Sequence, residues 1–291
     1  MRKPAKARKA AQKVPSVNKS LVWLASYPKS GNTWTRIFLA NFLLNPDKPV
    51  PINQVHRVGI GDSVAPAYRK INGGRYDPMD TLGHLRLRPA VMRAVANNGA
   101  DINLVKTHNE NGKAFGAQLI EPMLTKAAVY IVRNPLDVAV SYARHYGITP
   151  SKACRNMARS DNTSVADAGS VKQYLGAWSN HVRSWTKARG FPVHVMRYED
   201  MKADPEAAFG ALLDFLKVPH DPERLAKAVR FSSFKELSQQ EAEHGFIEKS
   251  HQNFKFFHSG TSGQWEKALT DEDIAFMHEN QGDMMRAFGY L

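Results

Sequence analysis

Cys154 is the only cysteine among the 291 residues, so an intrachain disulfide is excluded and a reducing compartment is the simpler expectation. A lone thiol of this kind reads as a small core hydrophobe. No apolar run reaches the roughly 18 residues that a membrane span needs, and the opening MRKPAKARKA has no apolar core of a secretory signal. The expectation is a cytoplasmic protein without a transmembrane segment. Metal-ligand patterns are also missing: the histidines are scattered, no HExxH occurs, and no cysteine pair exists. No metal is expected, and no local carboxylate pair points to glycoside chemistry. Internal repeats and low-complexity linkers are absent.

Acid is absent from residues 1–20, which hold Arg2, Lys3, Lys6, Arg8, Lys9, Lys13 and Lys19 against a net charge of +13 for the chain. Such a run cannot pack, so residues 1–20 are expected to be a basic disordered tail preceding one folded domain, 21–291. A solvated tail is favoured over contact with an anionic surface or nucleic acid. The remaining positive excess suits a protein whose ligand carries several negative charges. At 43% hydrophobic residues the chain supports one substantial core.

Leu21–Ala25 (LVWLA) reads as a buried strand, Ser26–Asn32 as a turn, and Thr33–Leu44 as a helix with apolar residues at spacings of three and four. Further strands are expected at Asp101–Thr107, Ala127–Val132 and Val193–Met196. Helices are expected at Pro135–Tyr146, Ser170–Arg189 and Ala207–Leu216. Residues 45–90, rich in Gly and Pro, read as irregular loops broken by short helices. The alternation predicts an α/β fold: a single domain with a central, mostly parallel sheet flanked by helices, whose ligand site lies at the carboxyl edge of the strands.

The segment ASYPKSGNTW, Ala25–Trp34, joins the first strand to the first helix, where backbone donors and the helix dipole face an anion. Lys29 adds a point charge, Gly31 permits close approach, Asn32 and Thr33 bring polar groups to the helix start, and Trp34 offers a face for a purine. An ordinary strand-to-helix turn would account for Pro28 and Gly31 but leave Lys29, Ser30, Asn32 and Thr33 unused. In the nucleotide-triphosphatase loop GxxxxGK[ST] the lysine follows the last glycine, whereas here it precedes Gly31, which argues against a nucleotide kinase-like phosphotransferase. Arg133, at a strand end, can fork onto a phosphate with Ser141 two helical turns away; a surface ion pair is the plainer alternative. His108, at another strand end, has the chemistry of a general base, or is simply one more surface or core histidine.

YPKSGNTW resembles YPKSGTTW, the 5′-phosphosulfate loop of the sulfotransferases that use 3′-phosphoadenosine 5′-phosphosulfate (PAPS). Tyr130–Tyr142, YIVRNPLDVAVSY, resembles the same family's 3′-phosphate element. The resemblance implies a P-loop-like phosphosulfate-binding loop, with Lys29 at the bridging oxygen, Lys106 on the sulfuryl oxygens, Arg133 and Ser141 on the 3′-phosphate, and Ser141 restraining Lys29. Val105–His108 (VKTH) is similar to the family's KTHLP, which implies His108 as base, but Asn109 and Glu110 replace Leu-Pro. Tyr198 in RYED is implied to reach the adenine, and Ser232 and Phe234 in Ser-Ser-Phe to flank the adenosine. Phe256–Thr270 resembles the terminal loop RKGxxGDWKxxFT. There Gly260 keeps the pattern, while His258 and Ser259 replace the usual Arg and Lys and weaken the expected phosphate contact, for which Lys255 is a substitute. Phe246, Phe254, Phe256 and Phe257 suggest either a lid or a packing cluster. The implied activity is sulfuryl transfer without metal to a hydroxyl or amine of a small-molecule, lipid or saccharide acceptor, with no obligate nucleic acid. A basic nucleic-acid-binding protein is the alternative of another class. The dimer pattern KxxxTVxxxE, known in part of the family, is absent from the C-terminal region, so no oligomeric state is assigned.

Overall fold

Leu21–Ser26 (β1) is buried at every position, because a strand covered on both faces has no solvent side to alternate with. It lies in the middle of a five-stranded sheet in the computed structural model, which describes residues 19–248, 255–258 and 260–291. The strand order is β2 (Ile60–Gly61), β3 (Asn103–Thr107), β1, β6 (Thr125–Val132), β7 (Val193–Arg197), and every ladder is parallel. A small antiparallel hairpin, β4 (Lys113–Ala114) and β5 (Ala117–Gln118), stands apart.

The helices are α1 (Asn32–Leu44), α2 (Ala65–Ile71), α3 (Thr81–Ala96), α4 (Pro135–Tyr146), α5 (Pro150–Met157), α6 (Trp178–Thr186), α7 (Tyr198–Ala203), α8 (Pro205–Phe215), α9 (Pro222–Phe231), α10 (Phe234–His244), α11 (Trp265–Ala268) and α12 (Asp271–Ala287). Successive β1 side chains face opposite sides. Trp23 joins Tyr130, Trp178, Trp185 and Met285 on one face, and Leu24 joins Phe38, Phe42, Ile131 and Phe209 on the other. Cys154 is buried in the first cluster, where burial pushes its thiol up to about 12. Among the described residues no helix is long and apolar enough to cross a membrane.

Several sequence expectations shift. The helix expected from Ser170 begins only at Trp178, although Leu175, Trp178, Val182 and Trp185 are all fully buried. Residues 45–90 include the strand β2 and most of α3, a helix of 16 residues. Gly83 and Pro89 hide α3 from a propensity reading, yet the Asp80 carboxylate caps it by accepting from the Gly83 amide at 2.8 Å. The helices α5, α9, α10 and α12 were not anticipated either. Ser20 belongs to the fold rather than to a tail: it is fully buried, and its hydroxyl donates to the Ala96 carbonyl at 2.8 Å. Lys19 is exposed, and residues 1–18 of the expected tail lie outside the described residues.

Candidate active site

The loop after β1 turns through two residues of positive φ, Lys29 at 67° and Gly31 at 108°. Glycine is required at the second, because a Cβ there would stand 2.9 Å from Cδ2 of Tyr198 besides straining the backbone. The Asn32 amide donates to the Leu24 carbonyl at 2.8 Å, and its oxygen accepts from Nε of Arg36 at 3.1 Å. Its side chain therefore locks α1 to β1, and the free backbone donors of the helix start are what the loop presents to an anion. Trp34 packs edge-on against Tyr198 and Phe209.

At the end of β6, Arg133 donates through Nη1 to the Lys29 carbonyl at 3.1 Å and stacks over the Tyr198 ring at 4.3 Å. The two sequence motifs thus meet through a hydrogen bond. Asn134 caps α4, and the Asp137 carboxylate accepts from the amides of Gly263 and Gln264, both at 2.9 Å, which pins the terminal loop to α4. Ser141 lies on the same helix, and Arg144, one turn further, donates to Gln264 at 2.6 Å and approaches Nδ1 of His258 at 3.5 Å. Gly260 has φ 59°, and a Cβ there would collide with Phe234 at 2.4 Å. Ser259 lies outside the described residues. The Ser232 hydroxyl turns back on α9 and donates to the Ala228 carbonyl at 2.9 Å.

His108 follows β3. Its Nδ1 donates to the Ser26 carbonyl at 2.8 Å, which leaves Nε2 as the nitrogen with a lone pair. Burial, aided by nearby Lys106, holds the imidazole well below its ordinary pKa, so the ring is neutral at working pH and its free nitrogen can accept a proton, though as a weaker base than an exposed histidine. The His108 amide donates to Gln173 at 3.0 Å, and its carbonyl accepts from Nε2 of buried His181 at 3.1 Å. His181 in turn meets the Tyr130 hydroxyl through Nδ1 at 2.9 Å, and burial holds its pKa at about 4.

Two lysines share the site. Burial, then Arg133, lowers Lys29 to about 7, and its ammonium sits 3.8 Å from the centroid of the Phe256 ring. Burial also lowers Lys106. Between them and α1 lies Glu248, whose carboxylate accepts from Nη2 of Arg36 at 2.7 Å and from the Thr33 hydroxyl at 3.2 Å. Burial works against its charge, yet Lys106, Arg36 and those hydrogen bonds hold the carboxyl at about 2. A carboxylate thereby takes the hydroxyl that the sequence assigns to a phosphate. His145, at the end of α4, lines the same cavity, and burial with Lys29 and Lys106 lowers it to about 3.

Of the aromatic run, Phe246 and Phe257 pack with Ile37, Ile52, Val55 and Leu237, while Phe256 is partly buried against that cluster and lines the cavity. Glu241 anchors the last two by accepting from the Phe256 amide at 2.6 Å and the Phe257 amide at 2.8 Å. Phe254 lies outside the described residues. The sequence reading missed Arg36, Glu248, Arg144, His145 and His181. Arg144 alone had a local signal, since it follows Ser141 by three positions on a helix and so shares its face.

A cavity of about 960 Å³ joins these parts: Lys29, Gly31, Asn32, Thr33, Trp34, Lys106, His108, Arg133, Ser141, Tyr198, Ser232, Phe234, His258 and Gly260 all line it. Ser30 is fully buried within the loop, and among the described residues its hydroxyl, like Nε of Arg133, has no hydrogen-bond partner. Unused buried donors beside a cationic loop fit a polyanionic ligand.

A parallel sheet with a cationic loop, a strand-end arginine and an aromatic wall at the carboxyl ends of its strands has the charge and shape to receive an anionic ligand. The family model described as sulfotransferase domain matches residues 19–289, and the chain belongs to that family. Among curated proteins, sulfotransferase 2A6 of Rattus norvegicus is 28% identical over 148 residues, 49% of this chain and 50% of the rat protein. Sulfotransferase 1 family member D1 of Mus musculus is 27% identical over 262 residues, 86% of this chain and 78% of the mouse protein. The chain thus spans half the length of the first relative, 50%, and more of the second, 78%. Among solved structures, a mouse sulfotransferase complexed with PAP aligns with a TM-score of 0.60 at 21% identity, covering 93% of this chain and 88% of that one. Retinol dehydratase in complex with androsterone and the inactive cofactor PAP aligns at 0.62 and 17% identity, covering 93% and 83%. Both share the fold.

Proposed function

We propose that this protein transfers a sulfuryl group from PAPS to a hydroxyl or amine of a small-molecule, lipid or saccharide acceptor. The observation that carries the reading is the hydrogen bond from Arg133 to the Lys29 carbonyl, 3.1 Å, which puts the cations expected at the two phosphorylated ends of one nucleotide in a single cavity. PAPS supplies the activated sulfuryl group. Lys29, Ser30 and the backbone amides of Gly31, Asn32 and Thr33 hold its 5′ end. Arg133, Ser141 and the Gly260 amide hold the 3′-phosphate, with Arg144 supplying the charge that His258 and Ser259 lack. Trp34, Tyr198 and Phe234, with Ser232 behind them, wall the adenosine.

Sulfuryl transfer, like phosphoryl transfer, depends on alignment and on neutralising charge more than on covalent help. His108 takes the acceptor proton at Nε2, the nitrogen that the Ser26 carbonyl leaves free. Lys29 and Lys106 meet the charge that develops on the oxygens around the transferred group. Work in the cytoplasm accords with a buried, unpaired Cys154.

The test uses labelled PAPS with a panel of phenols, steroids, sugars and amines, beside calorimetry with 3′,5′-adenosine bisphosphate (PAP) and no magnesium. Expected are PAP binding, transfer to at least one acceptor class, and a fall of about 100-fold or more in His108→Ala. Thermal stabilisation by magnesium-ATP alone would overturn the reading in favour of a phosphotransferase.

A further inference from the structure

The strip Lys106–Asn109 carries the base and one lysine, yet it overlaps only the end of a five-residue strand beside the two-residue strand β2. What fixes it is Asp62, the residue after β2. The Asp62 amide donates to the Lys106 carbonyl at 3.0 Å. Its carboxylate accepts from the Thr107 hydroxyl at 2.7 Å and from the Asn109 side-chain amide at 2.9 Å. The Thr107 oxygen accepts in turn from the Asn109 backbone amide at 3.0 Å. Both neighbours of His108 are thereby fastened to one buried acid.

Asp62 is itself held. Nη2 of Arg88 donates to it at 2.6 Å and the Ser63 hydroxyl at 2.7 Å, while Nε of Arg88 donates to the Leu119 carbonyl at 2.7 Å. The Tyr68 hydroxyl donates to the Asp62 carbonyl at 3.1 Å. Burial opposes the charge of Asp62, but Arg88 and these donors keep its carboxyl below the ordinary range, so the hub stays ionised. Asn109 extends the fastening: its side-chain oxygen accepts from the Tyr174 amide at 2.7 Å, next to Gln173, which receives the His108 amide. A buried ion pair contributes little net stability, and its retention fits a role in specifying geometry.

We infer that Asp62, held by Arg88, is a positioning residue that orients His108 for proton transfer through Thr107 and Asn109. The inference rests on the reading of His108 as the base. A site residue must be kept within about 0.5 Å of its working geometry, and Asp62 adds to the hydrogen bonds of His108 with Ser26, Gln173 and His181 a hold on the residues at either side of it.

Asp62→Asn leaves Arg88 buried without its counter-charge and risks unfolding, so the decisive variants are Thr107→Val and Asn109→Leu, which keep the ion pair. Turnover of labelled PAPS, acceptor KM and PAP affinity are measured for each, alone and with His108→Ala. Each single variant is expected to lower kcat about tenfold, with PAP affinity and acceptor KM changed less than twofold. In the His108→Ala background neither should lower the residual rate further. Unchanged kcat in both, or an equal further loss without His108, overturns the positioning role. Undiminished transfer by His108→Ala alone overturns instead the assignment of the base.

Discussion

Lys29 and Phe256 meet face-on, the ammonium 3.8 Å from the ring centroid, with the ring in turn fixed by the Glu241 carboxylate on its own amide. The loop lysine is therefore restrained by an aromatic ring from the far end of the chain, in the role that the family resemblance assigns to Ser141. Replacing Phe256 by Leu keeps an apolar contact but removes the negative ring face. The ligand-free protein is expected to lose about 0.5–2 kcal/mol of stability, read as a lower midpoint in denaturant. An unchanged midpoint would mean that the ring contributes packing alone.

On the proposed reading, Lys29 couples nucleotide binding to protons. Its pKa in the empty site is about 7, and an anion beside it raises that value, so binding above pH 7 takes up a proton. PAP affinity should fall as pH rises from 7 to 9, and calorimetry in buffers of different ionisation heat should register uptake. Release, or no dependence on buffer, would contradict the assignment.

The same lysine makes a stability prediction of definite sign. A folded pKa below the unfolded value of about 10.4 means that the unfolded chain holds more protons between pH 7 and pH 10, so stability rises with pH there. Lys29→Met should raise the melting temperature at pH 7, and the gap from the native protein should narrow toward pH 10. PAP binding in that variant should be lost.

Glu248 occupies the Thr33 hydroxyl, at 3.2 Å, and pairs with Arg36, at 2.7 Å. Glu248→Gln should lower the melting temperature by leaving Arg36 without its counter-ion, while PAP binds about tenfold tighter because no carboxylate competes for Thr33. Weaker binding would mean that Glu248 supports the nucleotide rather than rivals it.

Gly31→Ala combines a φ of 108° with a Cβ 2.9 Å from the Tyr198 ring. A loss of at least tenfold in PAP affinity is expected, with smaller effects from Gly73→Ala, where φ is 61° and nothing lies within 4 Å. Equal effects would rule out the close approach to Tyr198 as the reason for glycine.

Residues whose placement is local in sequence were legible. The turn Ser26–Asn32 was marked by the apolar run before it and the helical stripe after it, and Arg133 and His108 each follow a strand that apolar content marked. Asp62 left no such trace: β2 is two residues long, too short for any period, and the acid acts on partners more than forty positions away. Glu248 pairs with Arg36 across 212 positions, a contact only tertiary packing creates. Ser232 lines the cavity, but its hydroxyl satisfies α9, because a serine near a helix end finds a backbone carbonyl close by.

Lys106, Lys29 and Arg133 stand at the ends or just beyond the ends of three adjacent parallel strands, β3, β1 and β6, brought in from distant stretches of chain. Parallel neighbours require long crossovers, so these like charges come together only once the non-local ladders have zipped. A fragment ending before residue 125 would carry the loop without its arginine. Nucleotide affinity should consequently report completion of the fold as sharply as any spectroscopic probe.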